Sequence, residues 1–424
     1  MSDTATPLSI DRSDSLASLV DSLPQKSRRS RRLLFALARR SRGGRLVVTD
    51  AIDTTELGRG ALVARVTVHD PRAYTALLQR GSLGLGLGYL EGWWDCDDLV
   101  TLVRILVRGR GRLGRIQDEA GRLFSLVADP FRRRRRRPPT QDRRFVQAHY
   151  DIGNEFFSLI LDPTMSYSCA VFETVNDTLE SASLAKLDRI CRKLSLGAND
   201  HVLEIGTGWG GFAVFAASRY GCRVTTTTIS AEQYDYATRL VAERGLADRV
   251  TVLNQDYREL RGTYDKLVSI EMIEAVDWRQ VPGFFRACSR LLAPDGLMAL
   301  QAITIDDASY DRAKTTTDFI KAFVFPGGGL PSMTSLASAS ARAHLSVVDV
   351  EDIGRHYAET LRRWRENFER HLNDVRALGY DERFERLWTL YLTYCEAAFL
   401  ERHVSDVQMI LARDEWRPAL ATRT

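Results

Sequence analysis

From residue 201 onward, short apolar runs alternate with stretches of helical periodicity. Residues 201–205, 223–228, 250–254, 266–270 and 297–303 are rich in Val, Ile, Leu and Thr and short enough to be strands. Strands separated in this way by helical patterns predict a parallel sheet wrapped by helices, which binds ligands at the carboxyl ends of its strands. Upstream, β-branched residues at 45–49 and 61–69 predict strands, and residues 71–80 predict a helix begun at Asp70 and Pro71. With the glycine-rich segment 81–97 and an arginine-rich helix running to Asp129, these make a small α/β module. Residues 26–42 set Arg28, Arg29, Arg31, Arg32, Arg39, Arg40 and Arg42 around Leu33, Leu34, Phe35 and Leu37. That is the pattern of a short basic amphipathic helix, suited either to an anionic membrane surface or to a solvated structural face.

Composition narrows the class. With 424 residues and 44% hydrophobic content the chain can bury a large core, which excludes disorder as its main state. Lys+Arg 59 against Asp+Glu 55 leaves an excess of only +4, so attraction to anions depends on where the charges cluster. The densest cluster is the arginine run 132–137 ahead of Pro138 and Pro139. Such a block stays extended as a linker or docks on anionic phospholipid, each basic residue near the surface contributing about 1 kcal/mol. No zinc-finger, RNP-like or helix-turn-helix pattern accompanies it, so nucleic acid is not the expected partner. The cysteines Cys96, Cys169, Cys191, Cys222, Cys288 and Cys395 are scattered without CxxC pairs, which argues against a zinc site or a disulfide scaffold and fits a reducing, cytoplasmic setting. Residues 1–26 lack the apolar core of a secretory signal, and no apolar run approaches the ~20 residues of a membrane span. The expected organisation is a flexible leader at 1–26, an accessory domain at 27–130, an Arg/Pro-rich linker at 131–141, a catalytic domain at 142–414 and a tail at 415–424.

The sharpest motif is Val202-Leu-Glu-Ile-Gly-Thr-Gly-Trp-Gly-Gly, an apolar strand running into a glycine turn at Gly206, Gly208 and Gly210. Glycines let the backbone turn tightly and approach a ligand where a Cβ would clash. The acidic Glu204 near the strand end, and the lack of a following Lys-Ser/Thr, disfavour phosphate cradling. They suit S-adenosylmethionine, whose ammonium and sulfonium are cationic. After the second strand, Thr228-Ile229-Ser-Ala-Glu-Gln233 supplies a hydroxyl, an amide and a helix start at Ser230, whose plainer role is an N-cap. After the third, Asp256 and Tyr257 place a polar edge and an aromatic face where adenine would lie.

Several motifs in order resemble the cyclopropane-fatty-acyl-phospholipid synthase family. They are Ala148-His-Tyr-Asp-Ile-Gly-Asn-Glu-Phe-Phe, Met165-Ser-Tyr-Ser-Cys-Ala-Val-Phe, the glycine turn, Thr228-Ile-Ser-Ala-Glu-Gln and Phe325-Pro-Gly-Gly-Gly-Leu-Pro-Ser. The resemblance runs from about residue 60 to about 412 and takes in segment 81–97, which looks like the accessory domain of the full-length bacterial enzymes. It implies an α/β fold: a Rossmann-like class I methyltransferase sheet with helical acyl-binding insertions, preceded by a small α/β domain. The activity it implies is methyl transfer from S-adenosylmethionine to the double bond of an unsaturated acyl chain in phospholipid, through a carbocation. Tyr167, Ser168 and Trp209 join the donor-binding residues on this basis. A carbocation needs a dry channel; the aromatic runs 156–161, 319–325 and 391–399 are candidates for its wall, although aromatics at helical spacing are by default core. The resemblance also implies a homodimer and a location at the inner face of the cell membrane.

In the family a bound bicarbonate takes the final proton, held by a Cys backbone, a Glu, a His, an Ile backbone and a Tyr. Motif by motif, Cys169, Glu274, Ile303 and Tyr357 fall on four of these positions. Where the family reads Phe-Glu-His this chain reads Ile273-Glu274-Ala275, and where it reads Leu-His-Thr-Ile this chain reads Leu300-Gln301-Ala302-Ile303. Both histidines are gone, and Gln301 offers only a neutral hydrogen bond of about half the strength, which weakens the case for bicarbonate. A new carboxylate, Glu271, stands where glycine is usual, so Glu271 or Glu274 is expected to take over part or all of bicarbonate's role. The altered pattern looks like the branch making 10-methylene chains, precursors of 10-methyl (tuberculostearic-type) acids, which would need a reductase partner. Ring closure to a cyclopropane is the alternative. A lipid-binding protein that has lost the chemistry, and a methyltransferase acting on a small molecule or nucleic acid, are the competing classes.

Overall fold

The computed structural model describes residues 27–109 and 152–418. The expected leader 1–26, the arginine-rich helix beyond residue 109, the linker 131–141 with its arginine run, and the start of the Ala148 motif lie outside the described residues. The chain divides into two compact units.

The first unit begins with helix α1 (Ser27–Ala38), followed by β1 (Gly44–Thr49), β2 (Thr54–Arg59), β3 (Val63–Val68), α2 (Arg72–Arg80), α3 (Ser82–Leu90) and β4 (Trp94–Cys96). The strands form one sheet in the order β2-β1-β3-β4, in which β1 and β3 run parallel and the other pairs antiparallel. Helix α1 buries Leu34 and Phe35, Phe35 meets Tyr74 edge-on, and Arg31 is tied to Asp50 and Asp53. Arg28, Arg29, Arg32, Arg39 and Arg40 stay exposed, as does Leu33, which the amphipathic pattern had counted on the apolar side.

Segment 81–97 is mostly helical in spite of its glycines, and packing explains why. A Cβ on Gly84 would lie 1.9 Å from the Ala76 carbonyl oxygen, and one on Gly86 would lie 2.2 Å from the ring of Phe319. Glycine therefore lets α3 approach α2 and the helix Phe319–Phe323 backbone-close, an approach that outweighs its poor helix propensity.

That contact also bears on how the chain is divided into compact units. Residues 317–323 and 369–401, placed by sequence in a catalytic domain at 142–414, belong to the first unit. The helix Glu382–Leu400 is held there by Arg386, which donates to the Tyr89 and Trp94 carbonyls and to Asp95. Just past its end, Glu401 is paired with Arg104 and Arg108. Two of the three runs suggested for an acyl channel, 319–325 and 391–399, lie wholly or mostly in this unit, with Phe319, Tyr391 and Phe399 in its core.

The second unit starts with α4 (Asn154–Ile160) and α5 (Leu179–Lys193), then runs β5 (His201–Ile205), α6 (Gly211–Tyr220), β6 (Arg223–Thr228), α7 (Ala231–Glu243), β7 (Val250–Asn254), β8 (Tyr264–Ile270), α8 (Val281–Leu291) and β9 (Leu292–Ile305). It ends with α9 (Met333–Ala341), β10 (Ser346–Asp352), α10 (Gly354–Arg370) and β11 (Val404–Ala412). The sheet order is β10-β11-β9-β8-β5-β6-β7. Strands β5 to β9 are mutually parallel, while β10 and β11 are antiparallel additions that sequence reading did not anticipate.

Alternation along the strands feeds two cores. Leu203, Leu267, Met298 and Leu300 face α8 and α9, whereas Val202, Val268, Leu297 and Ala299 face α5 and α6. Trp416, at the start of the expected tail, packs against the second of these cores. The chain builds β5, adds β6 and β7 on one side, then crosses to place β8 and β9 on the other. The carboxyl end of β5 is therefore the topological switch point, where such sheets bind ligands.

Candidate active site

At the end of β5, Gly206, Gly208 and Gly210 all take positive φ, at 100°, 52° and 90°. These values suit glycine and steer the chain from strand into α6. Gly208 faces free space: a Cβ there would meet nothing within 4 Å. This turn forms the floor of a cleft of about 190 Å³ lined also by Glu204, Trp209 and Thr228. Tyr167, Ser168, Ile229, Gln233, Asp256, Tyr257 and Glu271 also lie on its wall, so the sequence-selected donor residues converge there with one exception. Gly210 is not on the wall; it turns the chain at the α6 N-terminus, where a Cβ would press on Ala237 at 3.2 Å.

Local bonding orients the wall. Ser230 caps α7 by accepting from the Gln233 N–H, and the Thr228 hydroxyl donates to Gln233 Oε1 (2.8 Å). Asp256 is gripped by Arg258, whose Nε and Nη2 lie 2.9 and 2.6 Å from its two oxygens. Glu204 is fully buried, accepts from the Thr226 hydroxyl at 2.6 Å, and has its pKa pushed up to about 8 by burial. It is thus largely neutral until a cation arrives to favour its charge. A glycine floor with no obstruction above it, a buried acid ready to ionise and a polar-plus-aromatic edge fit a nucleoside carrying cationic groups.

Beside this cleft the structure gathers the other predicted residues around one carboxylate. Glu271, at the end of β8, has φ 48°, a region that costs a non-glycine residue about 1 kcal/mol or more. Its side chain offsets that strain with three hydrogen bonds. Oε1 accepts from the Cys169 backbone N–H and from Gln301 Nε2, each at 2.8 Å, and Oε2 accepts from the Tyr357 hydroxyl at 2.5 Å. Glu274 Oε1 accepts from the Ile303 N–H at 2.5 Å, while its buried Oε2 has no partner. Burial, reinforced by the Glu271 charge, lifts Glu274 to about 8. The donors that the resemblance assigned to bicarbonate therefore point at side-chain carboxylates of this chain. The Cys169 thiol is fully buried and held neutral by desolvation, so only its backbone serves the site.

Four contributors escaped sequence reading. Lys186 of α5 is 1% exposed, donates to Ser168 Oγ at 2.9 Å and sets a cation near Glu271 and Glu204; burial lowers its pKa. Asp406 and Gln408, on the unforeseen β11, bond to Gln301. Trp364 of α10 packs at a tilt against Tyr167 and meets Tyr357 edge-on, and Tyr167 in turn packs on Phe157. This aromatic wall beside Glu271 includes the third proposed channel run, where Phe156 and Phe157 are fully buried. A lysine in a helical pattern, or a lone Asp in a strand, carries no local motif, so no sequence signal marked them. Among the described residues no cluster of ligands fits a metal ion.

The family described as mycolic acid cyclopropane synthetase matches residues 137–409. The tuberculostearic acid methyltransferase UfaA1 of Mycobacterium tuberculosis is 36% identical over 367 residues, covering 82% of this chain and 83% of its own. The cyclopropane-fatty-acyl-phospholipid synthase of Escherichia coli is also 36% identical, over 363 residues, covering 84% of this chain and 89% of its own. Among solved structures, mycolic acid cyclopropane synthase CmaA1 complexed with SAH and CTAB superposes with a TM-score of 0.61 at 30% identity, over 66% of this chain and 99% of the other. The chain belongs to the mycolic acid cyclopropane synthetase family.

Proposed function

We propose that this protein methylates the double bond of an oleoyl-type acyl chain in phospholipid and releases a 10-methylene branch, with Glu271 as the proton acceptor. It is an S-adenosylmethionine-dependent methyltransferase of the family that acts on unsaturated fatty acids. The bound donor supplies an electrophilic methyl group on sulfur. The π pair of the alkene forms the new C–C bond as the C–S bond breaks, leaving a cation on the neighbouring carbon. A hydride shift then moves the cation to the methyl-bearing carbon, and loss of a methyl proton gives the methylene. Without the shift, loss of the same proton closes a ring.

The observation that carries the reading is the Glu271 carboxylate seated in the donor cluster of Cys169, Gln301 and Tyr357. A base tethered to the chain just after β8 cannot shift within the donor cluster as a free anion can, and we take this restriction as the basis for the methylene route. The two relatives at 36% identity bear names from both routes, so overall similarity does not separate them. The exposed arginines of α1 supply an anionic-lipid docking face, consistent with the absence of any membrane-spanning helix among the described residues. Saturation to a methyl branch would require a separate reductase.

Incubation with methyl-labelled S-adenosylmethionine and dioleoyl phospholipid vesicles, followed by mass spectrometry and ozonolysis, tests this. An exocyclic methylene is cleaved to a ketone, whereas a cyclopropane survives and would reject the product assignment. A second expectation concerns Glu204. Because its pKa of about 8 in the ligand-free protein must fall beside a cation, donor binding at pH 7 releases close to one proton. Calorimetry in buffers of different ionisation enthalpy measures this, and Glu204→Gln removes it.

A further inference from the structure

We propose that Asp406 is the proton-sharing partner of Glu271: a neutral acid, linked to the same Gln301 amide, that positions the base and sets its basicity. This rests on the reading of Glu271 as base, and it begins from the sheet. Asp406 lies on β11 opposite Ile303 of β9, and Gln408 lies opposite Gln301. Alternation puts Asp406, Gln408 and Gln301 on the face that Ile410, Ala412 and Ala299 share with α5, the helix carrying Lys186. Polar side chains on a fully buried strand face are costly unless they satisfy one another. Here they form a chain: Gln408 Nε2 donates to Gln301 Oε1 at 3.1 Å, and Gln301 Nε2 donates both to Glu271 Oε1 (2.8 Å) and to Asp406 Oδ2 (2.9 Å). One amide NH₂ thus bridges two carboxyl groups, its orientation held by Gln408.

Asp406 is 0% exposed, and its Oδ1 has no hydrogen-bond partner. An ionised Asp406 would leave that oxygen desolvated and unpaired next to Glu271 and Glu274. As the acid it carries a donor of its own beside the Gln301 amide that it shares with Glu271. Two carboxyl groups sharing one buried site do not both ionise. Burial raises Glu271 as well, but its bonds from Cys169, Gln301 and Tyr357 and the nearby Lys186 oppose that shift, whereas the only strong donor to Asp406 is Gln301, so Glu271 takes the charge. The remaining titratable groups around the pair are Glu274 and the Cys169 thiol, both shifted toward their neutral forms by burial. Desolvation and the Glu271 charge push Asp406 the same way, well above the ordinary carboxylate range.

The test compares Asp406→Asn, which keeps a neutral donor of the same size, with Asp406→Leu, which has none. Infrared difference spectra of the resting protein at pH 7, wild type minus Asp406→Asn, should show one protonated-carboxyl C=O band; taking the difference separates it from the acids Glu204 and Glu274. Asp406→Asn should keep kcat within about threefold, while Asp406→Leu should lose at least about tenfold with donor binding intact. Fewer or weaker donors leave Glu271 more basic, so the acid limb of the kcat profile should move to higher pH in Asn and further in Leu. Absence of the band, loss in Asn as deep as in Glu271→Gln, or an acid limb unmoved in both variants would overturn the proposal. The infrared measurement needs no turnover, so a wild-type protein that fails to methylate oleoyl chains would reject the functional reading and still leave the shared proton decided.

Discussion

Glu271→Gln should lower product formation by roughly 10²–10⁴-fold, the range for loss of a positioned general base, while donor affinity changes little. Glutamine keeps the length and can still accept from Cys169 and Gln301 at one end while donating to the Tyr357 oxygen at the other, so the fold survives. It has no basic oxygen to offer a methyl proton. Adding bicarbonate should not restore this variant, because the amide still fills the donor cluster. Glu271→Gly should behave differently. It relieves the strain at φ 48°, restores the residue usual in the family and vacates the cluster, so bicarbonate should bring back part of the turnover. Single-turnover assays in bicarbonate-depleted and bicarbonate-supplemented buffer measure both effects. Wild-type rates in Glu271→Gln would remove Glu271 from the chemistry.

Gly208→Val should abolish donor binding, with affinity falling by at least about 100-fold, equivalent to roughly 2.7 kcal/mol. Two costs combine. A β-branched residue at φ 52° is strained by about 1–2 kcal/mol, and its methyl groups would enter cleft space that is clear to 4 Å around the glycine. Gly208→Ala separates the two, because it carries most of the backbone strain with little intrusion, and it should bind donor with intermediate affinity. Calorimetric titration with S-adenosylmethionine reads the affinities, and thermal unfolding reads the strain. A valine variant that binds as tightly as wild type would place the donor elsewhere than over this turn.

Local chemistry made much of this protein legible in its residues. The parallel strands β5 to β9 were visible because each contains a short run of apolar or β-branched residues, and the expected limits 201–205, 223–228 and 250–254 coincide with the observed strands. The glycine turn announced itself because positive φ and close approach admit few other side chains. The basic helix α1 was readable from its periodicity, although its arginine pairing with Asp50 and Asp53 was not.

What escaped depends on contacts between segments far apart in the chain. Strand β10 is the exposed edge and β11 is buried between it and β9, each pairing antiparallel with its neighbour, so both are fixed by partners distant in the chain and not by the βα alternation that marks the other strands. The return of residues 317–323 and 369–401 to the first unit follows from contacts distant in sequence, Phe319 against Gly86 and Arg386 against Tyr89, Trp94 and Asp95. Sequence by itself determined the family, the glycine turn at the end of β5 and the presence of an extra carboxylate at Glu271. Tertiary structure alone decided that this carboxylate sits in the donor cluster, with Lys186, Gln301 and Asp406 around it. The physical reason is that a hydrogen-bond donor set is a property of space: Cys169, Glu271, Gln301, Tyr357 and Asp406 come from five separate segments, and their convergence is encoded only in how the sheet and its helices pack.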